Sequence, residues 1–194
     1  MTTERYFTAF QDKRLVAEGF VAAVLAELKP IVDRDGSATV LIFDDDTGEQ
    51  LDFNFQGTIE TVLEGLSHHP FLSPHPEKPR RPGQVGRPKL GVVSREITLL
   101  PRHWAWLEKQ PSGSSATLRR LVETAMKAHP DADRRRQRQE VAAKVMWSLA
   151  GDLPGFEEAS RALFRGEIAQ FGLLIGDWPK DIQRYLLRLC AVSD

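Results

Sequence analysis

Cysteine is almost absent from this sequence, since Cys190 is the only one in 194 residues. A single thiol cannot form an internal disulfide, and it cannot supply the several sulfur ligands of a cysteine-rich zinc site. This composition excludes small disulfide-stapled domains and zinc fingers. It is typical of proteins that work in a reducing cytosol.

Long apolar runs are absent as well. No stretch approaches the roughly 20 consecutive apolar residues that a helix needs to cross a bilayer. The opening residues MTTER have no basic region followed by an apolar core, so we expect no secretory signal. We therefore expect a soluble, cytoplasmic protein with no membrane partner.

The chain as a whole has almost no net charge, but its segments carry strong net charges of opposite sign. The net charge is -1. Residues 1–66 carry five Lys/Arg and 13 Asp/Glu, residues 67–140 carry 15 and seven, and the remainder carries six and seven. This segregation predicts different roles for the segments, and the basic middle favours a polyanion such as DNA.

The first 66 residues predict a small α+β domain. Two pairs of β-rich runs, at residues 6–18 and 38–55, each predict an antiparallel hairpin. Apolar residues at helical spacing follow each pair, at residues 20–32 and 59–66. The order ββαββα indicates an antiparallel sheet with helices packed on it.

Proline sets residues 67–91 apart as an extended basic linker. Within it, Gly86-Arg87-Pro88-Lys89 resembles the core of an AT-hook, in which an extended Gly-Arg-Pro lies in an A·T minor groove. Arg87 and Lys89 are therefore candidate groove contacts. The arginine that usually precedes the glycine is replaced by Val85, and a solvated linker is the alternative interpretation.

Residues 92–128 predict one strand and two helices. The strand covers residues 92–101 and ends at a proline, and a short helix follows at residues 102–110. A serine-containing turn at residues 111–115 can cap the next helix. That helix, at residues 116–128, places its apolar residues at i, i+3, i+4, i+7 and i+8.

This segment resembles the ribbon-helix-helix family of DNA-binding proteins, in which strands from two subunits pair as a ribbon in the major groove. The resemblance implies a homodimer on double-stranded DNA. It implies phosphate contacts at the start of the second helix and base contacts from the strand, at Arg95 and Thr98. The implied phosphate contacts are Ser112, Gly113, Ser114 and Ser115, and the implied dimer contacts are Ile97, Leu99, Trp104, Leu107, Leu118, Leu121 and Val122.

The register of this strand leaves two alternatives open. If Ile97 and Leu99 face inward, Glu96 and Thr98 face the groove, where phosphates repel a carboxylate. If Thr98 and Leu100 face inward, only Arg95 on the outer face suits DNA. Neither face is strongly basic, so a protein-interaction adaptor that uses the strand for dimerisation or pairing is the alternative function.

Residues 129–194 predict a helical C-terminal region, with helices at residues 133–149, 156–165, 167–175 and 180–190 separated by Gly- and Pro-containing turns. Arg134, Arg135 and Arg136 open the first of these helices. Arginines are misplaced at the positive end of a helix, which favours phosphate contacts. A solvated helix face is the alternative interpretation.

Catalytic, metal and cofactor motifs are not recognisable. The sequence has no glycine-rich phosphate loop, nucleophile elbow or His-Glu-x-x-His pattern. The Asp44-Asp45-Asp46 run lacks the ligand spacing of a calcium loop, and His68, His69 and His75 lie in the linker. We therefore expect no enzyme, no metal and no cofactor, and the sequence indicates no small-molecule ligand.

Most of the chain also resembles an uncharacterised bacterial family of the domain-of-unknown-function type. The resemblance lies in four stretches, and it implies no established activity. The stretches are residues 43–48, 86–104, 154–159 and 177–179. The leading hypothesis is a homodimeric DNA-binding regulator with four parts: an acidic α+β domain (1–66), a basic linker (67–91), a ribbon-helix-helix-like unit (92–128) and a helical region (129–194).

Overall fold

The computed structural model describes residues 5–36, 39–72, 95–128 and 130–191. The chain divides into two compact units. The first unit combines Met1–Ser73 with Ala132–Asp194, and the second unit is Pro74–Asp131. None of the helices in the described ranges combines the length and the apolar character needed to cross a bilayer.

The described residues form four strands, eight α-helices and one short 3-10 helix. The strands are β1 (Tyr6–Gln11), β2 (Arg14–Phe20), β3 (Val40–Asp44) and β4 (Gln50–Leu51). The helices are α1 (Val21–Arg34), α2 (Ile59–Gly65), α3 (Pro101–Glu108), α4 (Ser114–Ala128), α5 (Pro130–Ala150), α6 (Phe156–Arg165), α7 (Ile168–Leu174) and α8 (Lys180–Cys190). The 3-10 helix is Leu66–His68.

The four strands form one antiparallel sheet in the order β2-β1-β3-β4, which confirms the predicted α+β class. Asp12 has a positive φ of 55° in the tight turn that joins β1 to β2. The fourth strand is shorter than the predicted run of residues 50–55. Phe53 and Phe55 leave the sheet and pack against the apolar cluster beneath α1.

Both faces of the sheet are buried, and each contributes to a different core. Side chains alternate along a strand, so neighbouring residues point to opposite faces. Phe7 and Ile42 pack with Leu25 of α1 on one face. Phe10 and Phe43 pack with α5–α8 on the other. The first unit is therefore a sheet between two helical layers, and the C-terminal helices complete its core.

The C-terminal helices lie where the sequence pattern predicts them. The helices α6 and α8 have the predicted bounds, while α5 starts at Pro130 rather than at residue 133. Proline is tolerated in the first turn of a helix, where its missing N–H has no intrahelical partner. Gly166 has a φ of 76° and ends α6 in the left-handed conformation.

The strand predicted at residues 92–101 is not formed in its described part. Residues 95–100 have neither helix nor strand, and residues 92–94 lie outside the described ranges. A strand is stable only when a neighbour satisfies its backbone groups. In the described part of the single chain no such neighbour pairs with residues 95–100. The two helices that follow, α3 and α4, are present.

Candidate functional site

Residues 95–128 of the second unit carry most of the predicted site residues. Pro101 occupies the first turn of α3, directly after Leu100 in an extended conformation. The N–H groups of His103 and Trp104 both donate to the carbonyl of Leu100, at 2.8 and 3.2 Å. Proline fixes the entry of this helix, because its ring sets φ and it needs no hydrogen-bond acceptor.

The turn into α4 depends on Gly113. Its φ is 74°, a left-handed conformation that glycine adopts without steric cost. The N–H of Thr117 donates to the Gly113 carbonyl at 3.1 Å, and the hydroxyls of Ser112 and Thr117 share a hydrogen bond of 3.2 Å. The helix therefore begins at Ser114, two residues earlier than predicted.

The start of α4 favours an anion. Ser112, Gly113 and Ser115 are exposed, Ser114 is half-buried, and the first turn contains no acidic residue. The first N–H groups of a helix have no intrahelical partner, and the helix dipole makes this end positive. The predicted phosphate contacts are thus brought together at the end of the helix where phosphate binds best.

The described part of the second unit buries few side chains. Leu107 and Thr117 are the only buried side chains among residues 95–128. Large apolar side chains on the same segment are exposed instead. We call this set the exposed apolar surface; it consists of Ile97, Leu100, Trp104, Trp106, Leu121, Val122 and Met126.

The predicted dimer contacts fall into two groups. Ile97, Trp104, Leu121 and Val122 belong to the exposed apolar surface. Leu99 and Leu118 are half-buried, and Leu107 is buried in the single chain. Leu107 therefore contributes to the packing of the helix pair itself.

The predicted DNA contacts lie in different parts of the chain. Arg95 and Thr98 are exposed in the stretch before α3. Arg134, Arg135 and Arg136 are exposed on α5. Arg87 and Lys89 lie outside the described residues.

Sequence reasoning missed a polar cluster on the face of the sheet that the C-terminal helices cover. The Tyr185 hydroxyl and the Thr8 hydroxyl both donate to Asp45 Oδ1, each at 2.8 Å. Arg188 donates to Asp45 Oδ2 at 3.1 Å and to Thr8 Oγ1 at 2.7 Å. Its other terminal nitrogen donates to Glu18 Oε2 at 2.6 Å. These contacts connect α8 to β1, β2 and the residue that follows β3.

Burial decides the electrostatics of this cluster. Desolvation raises the pKa of Asp45, although hydrogen bonds from Tyr185 and Thr8 and the charge of Arg188 oppose the shift. Desolvation, followed by the nearby Asp45 carboxylate, raises the pKa of Tyr185 far above its usual value. Tyr185 is therefore a neutral donor at physiological pH. The cluster connects α8 to the sheet.

The adjacent Asp44 serves the turn that was predicted as a polar hairpin connection. Its Oδ1 accepts from the N–H groups of Asp46 and Thr47, at 2.9 and 2.8 Å. Its Oδ2 is buried without a hydrogen-bond partner, 3.6 Å from Arg5 Nη1. No group of three or more metal-binding side chains occurs in the described parts of the chain.

Comparison with known protein families places almost the whole chain in one family. Residues 6–190 match DUF2239, described as an uncharacterized protein conserved in bacteria. Comparisons with curated proteins and with solved structures give no match.

Proposed function

The chain belongs to DUF2239, an uncharacterised bacterial family, and we propose that it is a homodimeric DNA-binding protein. In this proposal residues 92–128 of two copies form a ribbon-helix-helix dimer, and residues 1–66 form a ββαββα module. The observation that carries the proposal is the exposed apolar surface of the second unit, where residues 95–128 bury only two side chains.

Dimerisation follows from the energetics of that surface. Exposed apolar area is unfavourable at about 25 cal/mol per Å², and large apolar patches on a protein surface usually mark interaction sites. A second copy offers a matching surface, since a two-fold dimer uses the same patch on both subunits. It also offers residues 95–100 a strand partner, which they lack in the described single chain.

DNA binding is supported by charge and by the start of α4. Residues 67–140 carry 15 Lys/Arg against seven Asp/Glu. A dimer would present two copies of the Ser112–Ser115 turn to two backbone segments and Arg95 to base edges between them. Arginine makes the commonest specific base contact in the major groove, to guanine.

The second candidate is a protein-interaction adaptor that dimerises without DNA. Glu96 and Ile97 favour it, because both are exposed beside Arg95 and neither suits a DNA-facing ribbon. The adaptor and the DNA-binding protein share the dimer, and they differ only in what the ribbon face contacts.

Fluorescence anisotropy of the full chain with labelled duplex DNA distinguishes them. We expect binding near 50 mM salt that weakens steeply towards 200 mM, as counterion release requires. Arg95→Ala should weaken binding about tenfold, the size of one lost base contact. Arg184→Ala is the matched control, since Arg184 is equally exposed but lies on α8. A stable dimer with no duplex binding at low salt would support the adaptor instead.

A further inference from the structure

A groove in the first unit brings three arginines and an exposed phenyl ring together. It has a volume of about 720 Å³ and is lined by residues of α5, the end of α6, the start of α7 and the end of α8. Its chemistry comes from Arg135, Arg136, Gln139, Phe164 and Arg165.

The arginines of this groove keep hydrogen-bond donors for an anion. Arg136 lies 3.9 Å from Asp133, and Arg165 lies 3.9 Å from Glu167. Both separations exceed hydrogen-bond distance, so these ion pairs do not consume the guanidinium donors. Glu140 also lines the groove, which leaves one carboxylate against three guanidinium groups on its wall. Planar guanidinium groups match the geometry of phosphate oxygens.

Phe164 adds an aromatic face next to this charge. Its side chain is 64% exposed at the end of α6, one residue before Arg165. An exposed phenyl ring is unfavourable in water. Nucleic-acid bases, however, stack on exposed aromatic rings that lie beside basic side chains.

Gly166 keeps the wall between these groups open. A Cβ at this position would lie 2.9 Å from Gln139 Nε2, so any side chain here would displace the Gln139 amide. The glycine thus allows an amide, which can both donate and accept hydrogen bonds, to lie beside Arg165 and Phe164.

We propose that this groove binds a nucleoside phosphate, with the base stacked on Phe164 and the phosphate held by Arg135, Arg136 and Arg165. The ligand is either a free nucleotide or one nucleotide of a single strand, because both present the same base and phosphate. This inference rests on the proposed function only for the phosphate role of Arg135 and Arg136. It requires neither the dimer nor the ribbon.

The test measures binding of two probes to the full chain, ADP by calorimetry and a labelled 12-nucleotide oligothymidylate by anisotropy. Phe164→Ala and Arg165→Gln should each weaken binding about tenfold or more, the size of one lost stacking or charged contact. The matched controls are Leu173→Ala, 77% exposed on α7, and Arg184→Gln on α8. Neither control residue lines the groove, and both should bind like the wild type.

Each outcome decides the inference. Binding of ADP shows that a free nucleotide is a sufficient ligand. Binding of the oligonucleotide alone shows that the ligand is a nucleotide within a single strand. Either result supports the proposed site when Phe164→Ala weakens the binding. Absence of binding to both probes overturns it, as does binding that Phe164→Ala and Arg165→Gln leave unchanged. Duplex DNA measured alongside separates the two proposals. Loss of duplex binding only in Arg95→Ala concerns the ribbon, and loss of ADP or oligonucleotide binding only in Phe164→Ala concerns the groove.

Discussion

The two units of this protein differ in how much of their apolar surface they bury. The first unit covers both faces of its sheet with helices, and residues such as Phe10 and Phe43 are fully buried there. The described part of the second unit buries only Leu107 and Thr117. A unit with a complete core is stable by itself, whereas a unit without one needs a partner to cover its apolar residues.

This contrast assigns stability to one part of the chain and interaction to the other. The first unit is closed by distant segments, since Asp45 and Tyr185 are 140 residues apart in the sequence. The helices described in the second unit, α3 and α4, follow each other directly in the sequence. Mutations in the first unit should therefore lower the stability of the fold. Mutations in the second unit should change the association of the protein with its partner.

The largest expected effect is the loss of Phe43 from the first core. Phe43→Ala should lower the free energy of unfolding by about 3–5 kcal/mol, because it leaves a cavity between the sheet and the C-terminal helices. Leu107→Ala in the second unit should change the main unfolding transition by less than about 1 kcal/mol, since Leu107 belongs to neither apolar core of the first unit. Denaturant titration measures both. Equal losses would show that the second unit has a core of similar weight.

The polar cluster around Asp45 should contribute the next largest effect. Asp45→Ala leaves the buried hydroxyls of Tyr185 and Thr8 without their shared acceptor, which costs about 2–3 kcal/mol. Tyr185→Phe removes one hydrogen bond and should cost about 1 kcal/mol. Denaturant titration of the double variant completes the cycle. Its loss should be smaller than the sum of the two single losses, and strict additivity would contradict the coupling.

The thiol of Cys190 gives a test that depends on pH. Burial raises the pKa of Cys190 from 9.0 to about 11, and Arg138 opposes the shift only weakly. The folded state therefore holds its proton more tightly, and its stability should fall as pH rises from about 9 to about 11. Reaction with a thiol reagent at pH 8 should be far slower in the folded chain than in denaturant. Equal rates would contradict the raised pKa of Cys190.

The smallest expected effects come from two glycines with left-handed backbones. Gly166→Ala combines the strain of its φ with a displacement of the flexible Gln139 side chain and should cost about 1 kcal/mol. Gly113→Ala meets no atom within 4 Å and carries only the strain of its φ. Thermal unfolding compares the two directly. A greater loss of stability for Gly113→Ala than for Gly166→Ala would contradict the assignment of stability to the first unit.

Local patterns in the sequence predicted much of the secondary structure. The bounds of α6 and α8 follow from apolar residues at helical spacing that end at Gly166 and at Ala191. Pro30 does not interrupt α1, which continues to Arg34. Pro30 is on the exposed side, where water can satisfy the carbonyl group that loses its N–H donor.

The long-range packing was not predictable in the same way. No local signal in the sequence shows that the ring centroids of Phe10 and Tyr185 lie 5.4 Å apart, or that Asp45 accepts hydrogen bonds from α8. The strand expected at residues 92–101 also shows that local sequence does not determine long-range pairing. Its β-rich composition is real, but a strand also depends on a partner that composition cannot supply.

Sedimentation equilibrium of the full chain at micromolar concentration tests the central claim most directly. We predict twice the mass of one chain for the wild type and for Leu173→Glu, a matched change at an exposed leucine of the first unit. Val122→Glu should give the monomer, because it places a charge on the exposed apolar surface. A wild-type monomer, or a Val122→Glu variant that remains a dimer, would contradict the proposed interface.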